Sequence, residues 1–235
     1  MTVAGDGTVV LGGDPAGAPP VDPVPKPALR GVLHQVAFFV SLVSGTALVV
    51  AAPTTGSALV VAVYAVSVSA LFGVSALFHR HTWGPVGRRR MRRADHSTIF
   101  IAIAGSYTAV AGIALSGWPR TTLLCIAWGG AVAGIVLRQA WLDAPKWLIA
   151  VPYVVVGWAA VVVLPQLYRA LGATGFTLLV AGGLAFTAGA VVYALKRPDP
   201  FPSTFGYHEV FHACTIIGVV LQFVVIAWFV LPLAG

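Results

Sequence analysis

The stretch GYHEVFHACTIIGVVLQFVVIAWFVLPL, residues 206–233, carries both the fold class and the candidate chemistry of this chain. From Ala213 to Leu233 there is no acidic, basic or imidazole side chain. A helix needs about 20 predominantly apolar residues to cross the hydrocarbon core of a bilayer, so this run predicts a transmembrane span over about Tyr207 to Leu231. At its start His208 and His212 stand four apart, which puts them on one helical face about 6 Å apart along the axis. That spacing suits two ligands of one metal ion. The pattern His-Glu-x-x-His is also the zinc metalloprotease signature, in which the intervening glutamate, here Glu209, is the general base. Ionisable groups at membrane depth are costly and point to function. The plainer alternative is a pair of interfacial histidines hydrogen-bonded to backbone or lipid headgroups.

The rest of the chain repeats the apolar pattern. Of its 235 residues, 58% are hydrophobic and only 9% charged, which excludes an ordinary soluble domain. Residues 1–30, rich in Gly and Pro with Asp6, Asp14 and Asp22, are expected to form a disordered cytoplasmic tail and lack the pattern of a signal peptide. Residues 31–235 are expected to form a seven-helix transmembrane domain. The spans fall at about 31–52, 57–79, 95–116, 121–137, 147–164, 174–195 and 207–231. The second and third are separated by a loop carrying Arg80, Arg88, Arg89, Arg90, Arg92 and Arg93. Cys125 and Cys214 lie within apolar runs and form no disulfide framework.

Seven spans put the termini on opposite sides. With the N-terminus cytoplasmic, 12 of the 14 Lys and Arg residues fall in cytoplasmic segments, leaving Arg120 and Arg169 outside. This is the orientation that the positive-inside rule demands. The net charge of +7 is therefore a topology signal rather than a nucleic-acid surface.

On that topology His79 ends the second span, Asp95 and His96 begin the third, and His208 and His212 begin the seventh, all at the cytoplasmic side. Thermolysin-type sites complete the histidine pair with a downstream carboxylate or histidine, yet no His, Asp or Glu follows His212. A third ligand must come from upstream, and His79 is the best placed. Three neutral imidazoles leave the fourth position of a tetrahedral zinc site open for chemistry. Asp95 then stands as a carboxylate beside the metal. Ser75, one turn deeper than His79 on the same face, either joins the site or is a small helix-packing residue. His81 points away from His79, and Glu209 is rotated about 100° from His208.

Three motifs in order, Ser75-Ala76-Leu77-Phe78-His79-Arg80, the run from Asp95-His96-Ser97-Thr98 to Ser106-Tyr107-Thr108, and His208-Glu209-Val210-Phe211-His212, resemble those of the hemolysin III family. That family is the bacterial branch of the progestin and adipoQ receptor group and is more distantly similar to alkaline ceramidases. The resemblance covers the chain from about Lys26 onward. It implies an all-α, seven-helix bundle in the cell membrane, N-terminus cytoplasmic, with zinc near that face. It implies His79, His208 and His212 as the metal ligands, with Ser75 and Asp95 beside the metal as catalytic residues. His96 stands where receptor relatives commonly have an aromatic residue, and no role follows for His34 at the entrance of the first span.

Two classes of function follow. One is a zinc-dependent hydrolase of lipid amides or esters, with membrane lipid as partner and an acyl-chain lipid as substrate. The other is non-enzymatic: a membrane sensor, or a membrane-lytic, hemolysin-like protein, with zinc as a structural staple. A transporter or channel ranks below both, since no span is charged at its centre and no pair of broken helices occupies matching halves.

Overall fold

The computed structural model describes residues 27–235, apart from the side chains of Lys146 and Trp147. It is all-α: α1 (Val32–Val50), α2 (Thr55–Arg80), α3 (Pro85–Ala114), α4 (Gly117–Ala140), α5 (Lys146–Gly157), α6 (Leu164–Leu195) and α7 (Tyr207–Val225). Short turns of other pitch follow α5 (Ala159–Val163) and α7 (Ile226–Val230, Leu231–Ala234). Six helical runs among the described residues are long and apolar enough to cross a membrane, and the protein is a multi-pass membrane protein. The first 26 residues of the expected tail lie outside the described residues.

One of the six runs, Leu148–Leu195, has 48 residues, and it is not one rod. Gly172 interrupts its helix with φ 66° and ψ 176°, a conformation that costs a residue without Cβ little. The indole N–H of Trp158 donates to Thr187 Oγ1 at 3.0 Å. Twenty-nine residues of continuous helix would hold those side chains about 44 Å apart, so the chain doubles back between them. Where α5 gives way to the turn at Ala159, the freed backbone groups find a partner in Tyr107 of α3. Its hydroxyl donates to Gly157 O and accepts from the Ala160 N–H. A break in a helix at membrane depth persists only where neighbours satisfy the backbone in this way.

The charged stretch expected as a loop is largely helix. α3 begins at Pro85, a residue suited to the first helical position because its missing N–H is not needed there. Arginine is a good helix former, so the helix carries Arg88 to Arg93 before it reaches its apolar part. These cations serve the end of α4. Arg93 donates to Gln139 O at 3.3 Å, Arg92 to Leu142 O at 3.2 Å, and buried Arg138 to Trp141 O and Leu142 O at 2.8 and 3.0 Å. Carbonyls left over at a helix C-terminus are thereby satisfied by positive charge. Arg92 also pairs with Asp143 and holds that exposed carboxyl below its ordinary range by this hydrogen bond.

The core lies between α2, α3, α4, the stretch from Val156 to Leu171 of the 48-residue run, and the end of α7 with the turns that follow it. On α4 the buried residues Leu123, Ala127, Ala131, Gly134 and Arg138 recur at three- and four-residue spacing, forming one face. Phe100 of α3 enters that face at Gly134, and Ser67 of α2 sits where Gly105 of α3 leaves room. Lipid tails give little drive for apolar helices to associate, so such small-residue contacts and buried hydroxyl pairs hold the bundle. Ser41 of α1 and Ser69 of α2 form one such pair, 3.0 Å apart. The opposite face of α1, with Val36, Phe39, Val40 and Val43 exposed, is suited to lipid.

Candidate metal centre

His79 occupies the last turn of α2 and His208 and His212 the first turns of α7. Each offers one ring nitrogen, and these nitrogens all lie within 4.8 Å of one another. His79 Nε2 and His208 Nε2 are 3.1 Å apart. Ligand nitrogens at about 2.0–2.1 Å around a tetrahedral zinc stand about 3.3 Å from each other, so this pair is already near ligand spacing. His212 is 2% exposed, and its Nδ1 is buried without a hydrogen-bond partner among the described residues. A buried ring nitrogen without a partner is costly unless something engages it. The donor set is all nitrogen, which suits zinc as well as copper, iron or nickel. The residues fit a metal ion: the group His79, His208 and His212 could hold one.

Ser75 and Asp95 stand together. Both are buried, on α2 and α3, with the Ser75 hydroxyl beside the Asp95 carboxyl. Ser75, Asp95, His96, His208 and His212 line one internal cavity of about 130 Å³. It continues past apolar side chains such as Leu71, Ile103 and Phe186 to Gln222 on α7. The fourteen residues from His208 to Gln222 span about 21 Å of helix, so the cavity is long, apolar and polar at one end.

Glu209 is placed otherwise than the metalloprotease pattern requires. Its side chain is fully buried, with Oε2 accepting the Gly206 N–H at 2.9 Å and Oε1 2.6 Å from Arg30 Nε. It caps the first turn of α7 and pairs with a cation, and both roles aim the carboxylate away from a water between the histidines. His96 accepts a hydrogen bond from Arg138 Nη2 at Nδ1, 2.6 Å away. Guanidinium has no acceptor, so the ring proton of neutral His96 sits on Nε2. His81 caps the end of α2, exposed, edge-on to Trp83.

His34, for which the sequence implies no role, belongs to the same site. Its ring stacks on His212 with centroids 3.7 Å apart and planes within 8°, and it too lines the cavity. A signal for it does exist in the sequence, since an imidazole four residues into an apolar run is costly and asks for a reason. Its partner on α7 is not readable from the run itself.

The chain is similar to proteins of one family over most of its length. The family model described as Haemolysin-III related matches residues 23–223. The chain is 30% identical over 209 residues to Hemolysin-3 of Bacillus cereus, covering 88% of this chain and 92% of the relative. It is 29% identical over 197 residues to a Hemolysin-3 homolog of Bacillus subtilis (strain 168), covering 83% and 89%. The histidine cluster thus sits in a chain that belongs to the haemolysin-III related family.

Proposed function

We propose that this protein is a seven-span membrane hydrolase of lipid amides or esters, with zinc held by His79, His208 and His212 near the cytoplasmic face. The observation that carries the reading is the cavity in which His208 and His212, with Asp95 and Ser75, open onto a long apolar stretch, His79 standing beside His208. A peptide substrate offers nothing to such a tunnel. An acyl chain fits it, with the scissile carbonyl at the polar end. The doubling-back within Leu148–Leu195 supports a count of seven crossings, because a single helix of that length, about 72 Å, would be more than twice the hydrocarbon thickness. The distribution of Lys and Arg supports a cytoplasmic N-terminus.

Zinc bound there supplies a Lewis acid that polarises a carbonyl oxygen and brings the pKa of water down to about 7. The three imidazoles bind it in their neutral form. Asp95 takes the proton of the attacking water and returns it to the leaving amine or alcohol. Ser75 holds the Asp95 carboxylate in one orientation by donating its hydroxyl hydrogen to it. The tunnel excludes water from the acyl chain and so places the carbonyl.

The test is metal content by mass spectrometry followed by a panel of long-chain amides and esters. Near-stoichiometric zinc, lost in His79→Ala, His208→Ala and His212→Ala, together with hydrolysis lost in Asp95→Asn at full zinc content, is the expected result. Zinc-loaded protein inert across the panel overturns the hydrolase. The names of the relatives favour a second reading, membrane lysis with zinc as a staple. Dye release from vesicles that depends on the histidines but survives Asp95→Asn would establish that one instead.

A further inference from the structure

Between the last of the tail and the first turns of α1 lies Arg30-Gly31-Val32-Leu33-His34, a stretch that touches the surroundings of all three candidate ligands. Arg30 reaches Glu209, the residue that follows His208 and precedes His212 by three, at 2.6 Å. Gly31 takes φ 80° and lies so close to α2 that a Cβ there would come within 2.7 Å of the His79 Cβ. His34 lies flat on the His212 ring. The stretch is itself anchored. The Ala28 and Leu29 amides donate to Ser203 O and Thr204 O at 3.0 and 3.1 Å, in the segment that leads into α7.

We propose that residues Arg30 to His34 form a bracket that sets the distance between α2 and α7 and so pre-organises the three histidines for metal. The inference rests on the metal site proposed above and adds residues outside the ligand set. The physical need is plain. α2 delivers one ligand and α7 two, α2 and α7 are far apart in sequence, and α1 is the element that packs on both. Helix packing in lipid has little apolar drive of its own to fix such a spacing. Arg30 fixes the rotation of the first turn of α7 through a buried carboxylate that also caps it. Gly31 allows the close approach to His79, and His34 fixes the plane of the His212 ring. Arg30, Gly31 and His34 are positioning residues. They act through the ligands, and groups supporting metal ligands typically account for ten- to a hundredfold in metal affinity.

The experiment is zinc affinity of the purified full chain by chelator competition, with the visible absorption of the cobalt-loaded protein as a second readout of ligand geometry. The variants are His34→Ala, His34→Phe, Arg30→Ala and Arg30→Lys, each checked for retained helicity and monodisperse elution. His34→Ala and Arg30→Ala are expected to weaken zinc at least tenfold and to alter the cobalt spectrum. His34→Phe keeps a flat ring on His212 and should stay within about threefold of the wild type, as Arg30→Lys should recover most of what Arg30→Ala loses. Affinities within twofold of wild type in all four variants overturn the bracket and leave the metal site standing. A His34→Phe loss as large as that of His34→Ala overturns the stacking role. A wild type that binds no zinc overturns the metal site and the bracket with it, a result distinct from the one in which the bracket alone fails.

Discussion

Glu209 shows how far a local pattern reaches. In the sequence it sits inside His-Glu-x-x-His, where zinc proteases place their general base. In the fold it is engaged by the Gly206 N–H and by Arg30. Asp95, from another helix, occupies the cavity instead. Removing a general base typically costs 10²- to 10⁴-fold in rate. At saturating zinc, Glu209→Gln should therefore lower lipid hydrolysis by less than tenfold, because glutamine still accepts the cap hydrogen bond, whereas Asp95→Asn should lower it at least a hundredfold. Initial rates with one long-chain amide or ester decide this, and a hundredfold loss in Glu209→Gln would return the base to the motif. Stability should move the other way. Glu209→Ala leaves Arg30 without its buried partner and should destabilise the protein by about 3–5 kcal/mol, measurable by thermal unfolding in detergent.

At the scale of elements, the bundle is held by close approaches that leave no room for a methyl group. A Cβ at Gly134 of α4 would lie 2.2 Å from the tip of the fully buried Phe100 ring on α3. Gly134→Ala is expected to destabilise by about 1–3 kcal/mol through overpacking. Adding Phe100→Leu should recover part of the loss, since the two sites touch and their effects are not additive. Unfolding midpoints of the wild type, both single variants and the double variant give the coupling. Tyr107 is the corresponding polar device. It answers for the backbone where α5 breaks, and Tyr107→Phe leaves Gly157 O and the Ala160 N–H without it, for an expected cost of about 1–3 kcal/mol. The apolar pattern of 147–164 anticipates a span there but not its interruption, because the period of a helix says nothing of where a neighbour's hydroxyl will support a break.

At the scale of the whole molecule, the arrangement of charge and the folding back at Gly172 bear on which segments face which side of the membrane. In a background with Cys125→Ala and Cys214→Ala, Ser116→Cys and Ala173→Cys should react in intact cells with a membrane-impermeant maleimide. Ser203→Cys, in the segment before α7, should react only after the cells are opened. Labelling of Ser203→Cys from outside would invert the orientation, and failure of Ala173→Cys to label would remove the crossing that begins there. Serine to cysteine at 116 and 203 changes an exposed side chain, so loss of folding is not an expected complication.

Membrane class, helical content and most span positions are legible in the amino-acid sequence, because hydropathy and length are local properties of the chain. The histidine pair on α7 follows from helical spacing, and the placing of His79 and Asp95 at the same end follows from alternation of helices through a bilayer, which leaves few topologies to choose among. Three things only the tertiary structure decides. Arg92 and Arg93 at the start of α3 are spent on carbonyls at the end of α4, a pairing that no local pattern names. Glu209 turns from the site because Arg30 comes to it from the approach to α1. His34 belongs with His212 because α1 packs on both α2 and α7. Each depends on which helix lies beside which, a long-range choice made by side-chain packing at small residues, and periodicity along a single helix carries no information about its neighbour.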